Sequence, residues 1–317
     1  MMNSSLIAAI GAGLAAALLF LSLTTGSMLA LVLFYLAPLP IFIAGFGWGL
    51  PAALIASGVA TLSVALGASF TYAGIFALTV CAPTIWLARL AMLARPVDET
   101  DPNSPREWYP AGRLVLWTAA LGAAFAMFTA YMLGGDVETF LTNIDLTIRE
   151  GFLGGRAAPE GVDLDLLINL LSRMLIPASA AIWTATTLLN LTLAIRLTAL
   201  SGRSQRERLG LGSMQFGPVA VAAFALSIAA ALLGDTVGLY SKAAVGALTT
   251  AFIVLGFATV YGLTRNSSMQ GLILSGLAAL MLLLPFAFIV VALLGVADAL
   301  FGLRARFSAA PPANPND

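Results

Sequence analysis

Apolar stretches long enough to cross a lipid bilayer follow one another along almost the whole chain, and they constrain the fold more tightly than anything else in it. A hydrocarbon core of about 30 Å takes about 20 apolar residues per helix. Windows of about that length fall at Leu6–Leu23, Met28–Phe46, Leu50–Phe70 and Tyr72–Ala94, and again at Leu114–Leu133, Val219–Leu233 and Ala243–Leu263, while the sixth span, Leu166–Leu200, is too long for one perpendicular crossing and is tilted or begins outside the bilayer. A last apolar block, Gly271–Phe301, is too long for one perpendicular crossing and carries Pro285 at its middle. Proline removes a helix hydrogen bond, so this block reads either as one kinked helix or as two short helices folded back as a hairpin. The expectation is an all-α, polytopic transmembrane helical bundle of about 8–10 spans. Residues 1–307 form its single transmembrane domain, and residues 308–317, with three prolines, form a disordered tail.

Composition removes whole classes of function. Of 317 residues, 60% are hydrophobic and 9% charged, against about 25% charged in soluble chains. Fifteen Lys+Arg balance fifteen Asp+Glu, which leaves no electrostatic case for nucleic acid. Histidine is absent, and with it the usual metal ligand and the usual neutral-pH base. The lone Cys81 can form neither an internal disulfide nor a thiolate cluster. No metal or cofactor is called for. Without paired intramembrane carboxylates or a Ser-Lys arrangement, no enzyme is expected either.

Three polar interruptions organise the chain. The stretch Arg95–Arg113 holds four acids, three Arg and four Pro, and Ser201–Phe216 carries Arg203, Arg206 and Arg208. Two crossings separate these loops, so they share a side, and the excess of arginine makes it the cytoplasmic one. The N-terminus is then cytoplasmic too, in a bacterial inner membrane. The hairpin alternative for Gly271–Phe301 is the one that brings Arg304 and Arg306 to the same side. The outer stretch between them contains Val137, Phe140, Leu141, Ile144, Ile148 and Phe152 at helical spacing after Asp136 and Glu138. It reads as an amphipathic helix over about 136–152, lying in the outer interface or closing over a cavity. The glycine-rich Gly151–Gly161 lacks phosphate-loop spacing and receives no nucleotide role.

Candidate functional residues are few. Phe34-Tyr35-Leu36-Ala37-Pro38-Leu39-Pro40 interrupts the second span. Broken backbone at membrane depth is tolerated only against protein or a water-filled cavity, and broken helices mark substrate sites in many transporters; a plain kink with an aromatic anchor is the alternative. Charges in apolar spans are costly and commonly functional. Arg173, near Asn169 and Pro177, either holds an anionic group in an outward cavity or marks the outer boundary of its span. Asp235 and Lys242, on the same short outer turn, either carry function or merely pair with each other, and Asn190 is expected to make an interhelical hydrogen bond. The candidate ligand-binding residues are therefore Tyr35, Pro38, Pro40, Asn169 and Arg173. On the first span, Ala8, Ala12 and Ala16, beside Ala9, Gly13 and Ala17, have the small-xxx-small spacing that lets helices approach closely. They serve either to dock a partner protein or to pack within the bundle.

Phe34–Pro40 followed by Gly47-Trp48, Pro177 and Asn190 in one long helix, and Gly295-Val296-Ala297-Asp298 before Arg304 and Arg306, resemble a family of bacterial membrane proteins known as domain of unknown function 2232. Ala297 and Gly302 depart from the family pattern. The family has no established activity. Its fold is similar to that of the substrate-capture subunits of energy-coupling-factor vitamin transporters, in which small residues of the first helix dock on the coupling protein and an outward cavity holds the vitamin. The resemblance implies Ala8, Ala12 and Ala16 as the docking face and carries over no ligand contact. Two functions stay open: a small-solute-binding transport component that needs an energising partner, and a membrane scaffold or assembly factor acting through its cytoplasmic loops.

Overall fold

The structure, a computed structural model, describes residues 2–98, 100–101, 104–153, 163–206, 210, 212 and 214–308. The expected tail lies outside them except for Ser308, and so does most of the glycine-rich stretch after 153. The chain is all-α in class. Among the described residues, seven helical segments are long and apolar enough to cross a membrane, and three apolar helices are shorter, at Pro218–Ala231, Gln270–Leu283 and Phe286–Phe301. This is the helix content of a multi-pass membrane protein.

The chain divides into two compact units, Met1–Thr118 with Ala185–Gly210, and Ala119–Thr184 with Leu211–Asp317. In the first unit, α1 (Met2–Leu21) packs against α4 (Leu50–Gly67). Both faces are built of small residues: Ala9, Ala16 and Ala17 meet Ala52, Ala53, Ala56 and Ala60, all buried. A Cβ on Gly13 would collide with the Ala56 carbonyl, so the backbones touch, and dispersion over a close seam replaces the hydrophobic drive that lipid removes. The second span is split into α2 (Met28–Tyr35) and α3 (Pro38–Trp48). Gly49, at φ +91°, then turns the chain directly into α4, a backbone angle that side chains rarely adopt. The fourth span is α5 (Phe70–Phe76), a π-turn at Ala77–Cys81, and α6 (Ala82–Ala91). Between α6 and α7 (Ala111–Met132), β1 (Ala94–Pro96) and β2 (Arg106–Trp108) pair antiparallel. Their three-residue length is too short to show alternation in the sequence, so nothing there announced a hairpin.

In the second unit, α8 (Val137–Leu153) follows α7, and α9 (Leu164–Leu200) begins after it. At 1.5 Å per residue the 37 residues of α9 span about 55 Å, well beyond a bilayer core. Next come α10 (Pro218–Ala231) and α11 (Thr236–Leu263), which starts several residues before the expected Ala243 because Asp235 caps it. The last apolar block is two helices, α12 (Gln270–Leu283) and α13 (Phe286–Phe301), parted where Leu284 turns extended before Pro285. The second packs along α11. A Cβ on Gly256 would overlap the Val291 carbonyl, one on Gly295 the Phe252 carbonyl, and one on Gly262 the stem of Arg304. Gly302, left-handed at φ +60°, ends α13 before the short α14 (Leu303–Ser308).

Candidate functional site

The broken second span is satisfied from within the first unit. Pro38 and Pro40 fall in the first turn of α3, where backbone N–H groups have no helical partner in any case. Upstream, Asn190 on α9 donates from Nδ2 to the Tyr35 carbonyl at 2.7 Å and to its own Thr186 carbonyl at 2.8 Å. That is the interhelical bond its position demanded. Tyr35, Pro38 and Pro40 are each half-buried.

A cavity of about 500 Å³ opens in the second unit between α8, α9 and α11, within the range of small-molecule sites. It collects one face of each helix: Val137, Phe140, Leu141 and Asp145; Asp165, Ile168, Asn169, Ser172 and Arg173; and Asp235, Leu239 and Lys242. Two of the five expected ligand residues, Asn169 and Arg173, line it, whereas Tyr35, Pro38 and Pro40 do not. Sequence reasoning missed Asp145 as a contributor and gave Lys242 to Asp235. The signal for Lys242 was its spacing, two helical turns after Asp235 on the same face.

The amphipathic helix α8 is the wall of this cavity. Phe140 is fully buried and Ile144 nearly so. Asp136 accepts the Thr139 N–H at 2.9 Å, and that bond holds its carboxyl below the usual carboxylate range. Around the helix start, Asn143 Nδ2 donates to the Leu133 carbonyl at 2.8 Å, and the Tyr240 hydroxyl of α11 donates to the Gly135 carbonyl at 2.9 Å. At the other end Arg149 bridges two helices, to Asp145 at 2.9 Å and to Asp165 of α9 at 2.5 Å. These carboxylates, Asp145 first, raise the guanidinium pKa further above its ordinary value.

The acids of the cavity are all engaged. Asp145 and Asp165 face Arg149, and Asp235 accepts the Gly238 N–H at 3.0 Å as the cap of α11. The expected Asp235–Lys242 pair does not form, because Lys242 lies two turns, about 10 Å, further along α11. Arg173 donates from Nε to the neutral Asn169 Oδ1 at 2.6 Å. Among the described residues, neither Arg173 nor Lys242 has an ion-pair partner.

Two arginines organise the loops instead. In the first unit, Arg206 is buried, donates to the Ala91 and Tyr109 carbonyls, and lies 5.7 Å from the Trp108 ring centroid. Burial pulls its pKa down to about 10. Nearby, Arg203 lies over the Trp48 ring at 4.9 Å. In the second unit, Arg304 pairs with the buried Asp298 at 2.8 Å and reaches the Gly212 and Met214 carbonyls. On α1, Ala16 is buried in the core of the first unit, with Ala12 packed against that core and Ala8 half-buried. Comparison of the chain with protein-family models, with curated proteins and with solved structures finds no match.

Proposed function

We propose that this multi-pass membrane protein binds a small solute in the cavity between α8, α9 and α11 and works as a transport component of a bacterial inner membrane, with its N-terminus cytoplasmic. The observation that carries the reading is the cavity itself. Three helices give it apolar walls at Phe140, Ile168 and Leu239, and polar groups of α9 and α11 converge within it, the composition of sites that hold small ligands. Its chemistry is binding and release with no covalent step. Energy comes from a partner protein, and Ala8 and Ala12 on α1 belong to the docking face in this reading, whereas Ala16, also expected there, is buried in the core of the first unit and is left out of it. In this reading the chain is similar to the domain of unknown function 2232 family and, in fold, to the vitamin-capturing subunits. Purified protein heated with a panel of small solutes tests it. A ligand present at a hundredfold excess over its Kd stabilises the fold by about 2.7 kcal/mol, a clear rise in melting temperature. A panel in which nothing raises the midpoint removes the cavity as a binding site.

One observation favours the scaffold reading. Arg206 fastens the loop after α9 to the end of α6 and to the β-hairpin segment, so the arginine-bearing loops form one shaped surface. Shortening the hairpin between 97 and 105 separates the two functions. A transport component keeps its ligand, and a scaffold loses the protein that co-purifies with it.

A further inference from the structure

We propose that Arg173 and Lys242 together hold an anionic group, a carboxylate or a phosphate, in the cavity of the second unit. The inference rests on the cavity being a binding site and adds the charge of what enters it. Three helix N-termini meet at this cavity, because α8 begins at Val137, α9 at Leu164 and α11 at Thr236. The acids near them have structural work: Asp136, Asp163 and Asp235 each accept an N–H from the first turn of their helix, where negative charge is stabilised. Asp145 and Asp165 clasp Arg149. Among the described residues neither cation has an ion-pair partner, and Arg173 engages only the neutral Asn169. Arg173 lies eight residues beyond Asp165 on α9, and Lys242 seven beyond Asp235 on α11, each on the same helix face as its acid. The acids thus sit at the N-terminal end of α9 and of α11, and the cations two turns further on. Lys242 is also half-buried, and an uncompensated charge at the boundary of an apolar span is costly. Asn169 engages only Nε of Arg173, so both terminal nitrogens of the guanidinium are left for a planar or tetrahedral anion. Beside them the cavity offers Ser172, already turned to the Asn169 carbonyl at 3.1 Å. A ligand with one anionic end and an apolar body matches this floor and the Phe140, Ile168 and Leu239 walls.

The anion has two sources, a soluble organic acid or the headgroup of an anionic lipid, and one experiment separates them. The full chain in phosphatidylcholine nanodiscs is heated with matched pairs that differ in charge: succinate and succinamide, benzoate and benzamide, glucose 6-phosphate and glucose. Parallel discs contain added phosphatidylglycerol. The expected result is a raised melting midpoint with charged members only. Arg173→Gln and Lys242→Gln each weaken the binding about tenfold, Arg173→Lys less, and Arg265→Gln, outside the cavity, has no effect. Added salt weakens the binding to the unaltered protein, which keeps the test decisive if a variant fails to fold. A rise with phosphatidylglycerol alone, lost in the same two variants, upholds the anion site but counts against solute capture. Equal stabilisation by charged and neutral members overturns the anion assignment and leaves the cavity reading intact. No stabilisation in any arm overturns both.

Discussion

At Gly256 and Gly295 two backbones meet, and the consequence of adding one carbon is calculable. A methyl at Gly256 would occupy the space of the Val291 carbonyl, whereas Gly276 on α12 has nothing within reach of a Cβ. Gly256→Ala is therefore expected to destabilise the protein by about 1–3 kcal/mol through overpacking. Gly276→Ala is expected to be neutral or stabilising by up to about 1 kcal/mol, the difference in helix propensity. Melting in detergent checks both, and equal midpoints for the two variants would contradict the close seam. Glycines of either kind look alike in a sequence, because nothing in the chain says which helix will arrive opposite. Single charges were more legible. Arg173 and Asn169 drew notice as polar groups one turn apart at the edge of an apolar span, and the structure places both on the cavity. Lys242 escaped because a nearby acid offered a simpler partner, and only the helix starting at Thr236 shows Asp235 occupied as a cap.

Helix α8 behaves as a wall fastened at both ends. Arg149 is only half-buried and its ion pairs contribute little to global stability, yet it is the described polar link from the C-terminal half of α8 to α9. Arg149→Ala is expected to leave the melting midpoint almost unchanged while amide protection falls over Ile144–Leu153 and ligand affinity drops. Hydrogen exchange followed by mass spectrometry reads the first effect; unaltered protection along α8 would show that apolar packing of Phe140 and Ile144 suffices. This element was readable before any coordinates, since apolar residues at helical spacing after Asp136 leave little choice. The β-hairpin was not, because strands of three residues carry no period. The split second span was legible as a break at Pro38 and Pro40, but its use was not. The freed Tyr35 carbonyl is taken by Asn190, 155 residues away, and no local pattern foretells that.

On the scale of the whole molecule, orientation is the open measurement. Cys81 is buried, so an introduced thiol reports alone. Ser104→Cys, in the arginine-bearing hairpin, is expected to resist a membrane-impermeant maleimide in intact cells and to react after lysis. Thr142→Cys, exposed on α8, is expected to react before lysis. The reverse pattern would place the cavity on the cytoplasmic side and invert the direction of capture. Hydropathy made the serial crossings evident, and Pro285 marked where the final apolar block divides. The partition into two compact units was not evident, since of the three passages between them only the one at 210/211 falls in a polar loop, while the other two lie inside the continuous helices α7 and α9.

Arg304 sets a timetable for biogenesis. The Gly212 and Met214 carbonyls it meets leave the ribosome 92 and 90 residues ahead of it, so that loop stays unfastened while α10, α11 and the returning pair are threaded into lipid. A nascent chain stalled before residue 304 is then expected to be cut more readily at the Gly212–Met214 end of that loop than the released chain, in which Arg304 meets those carbonyls.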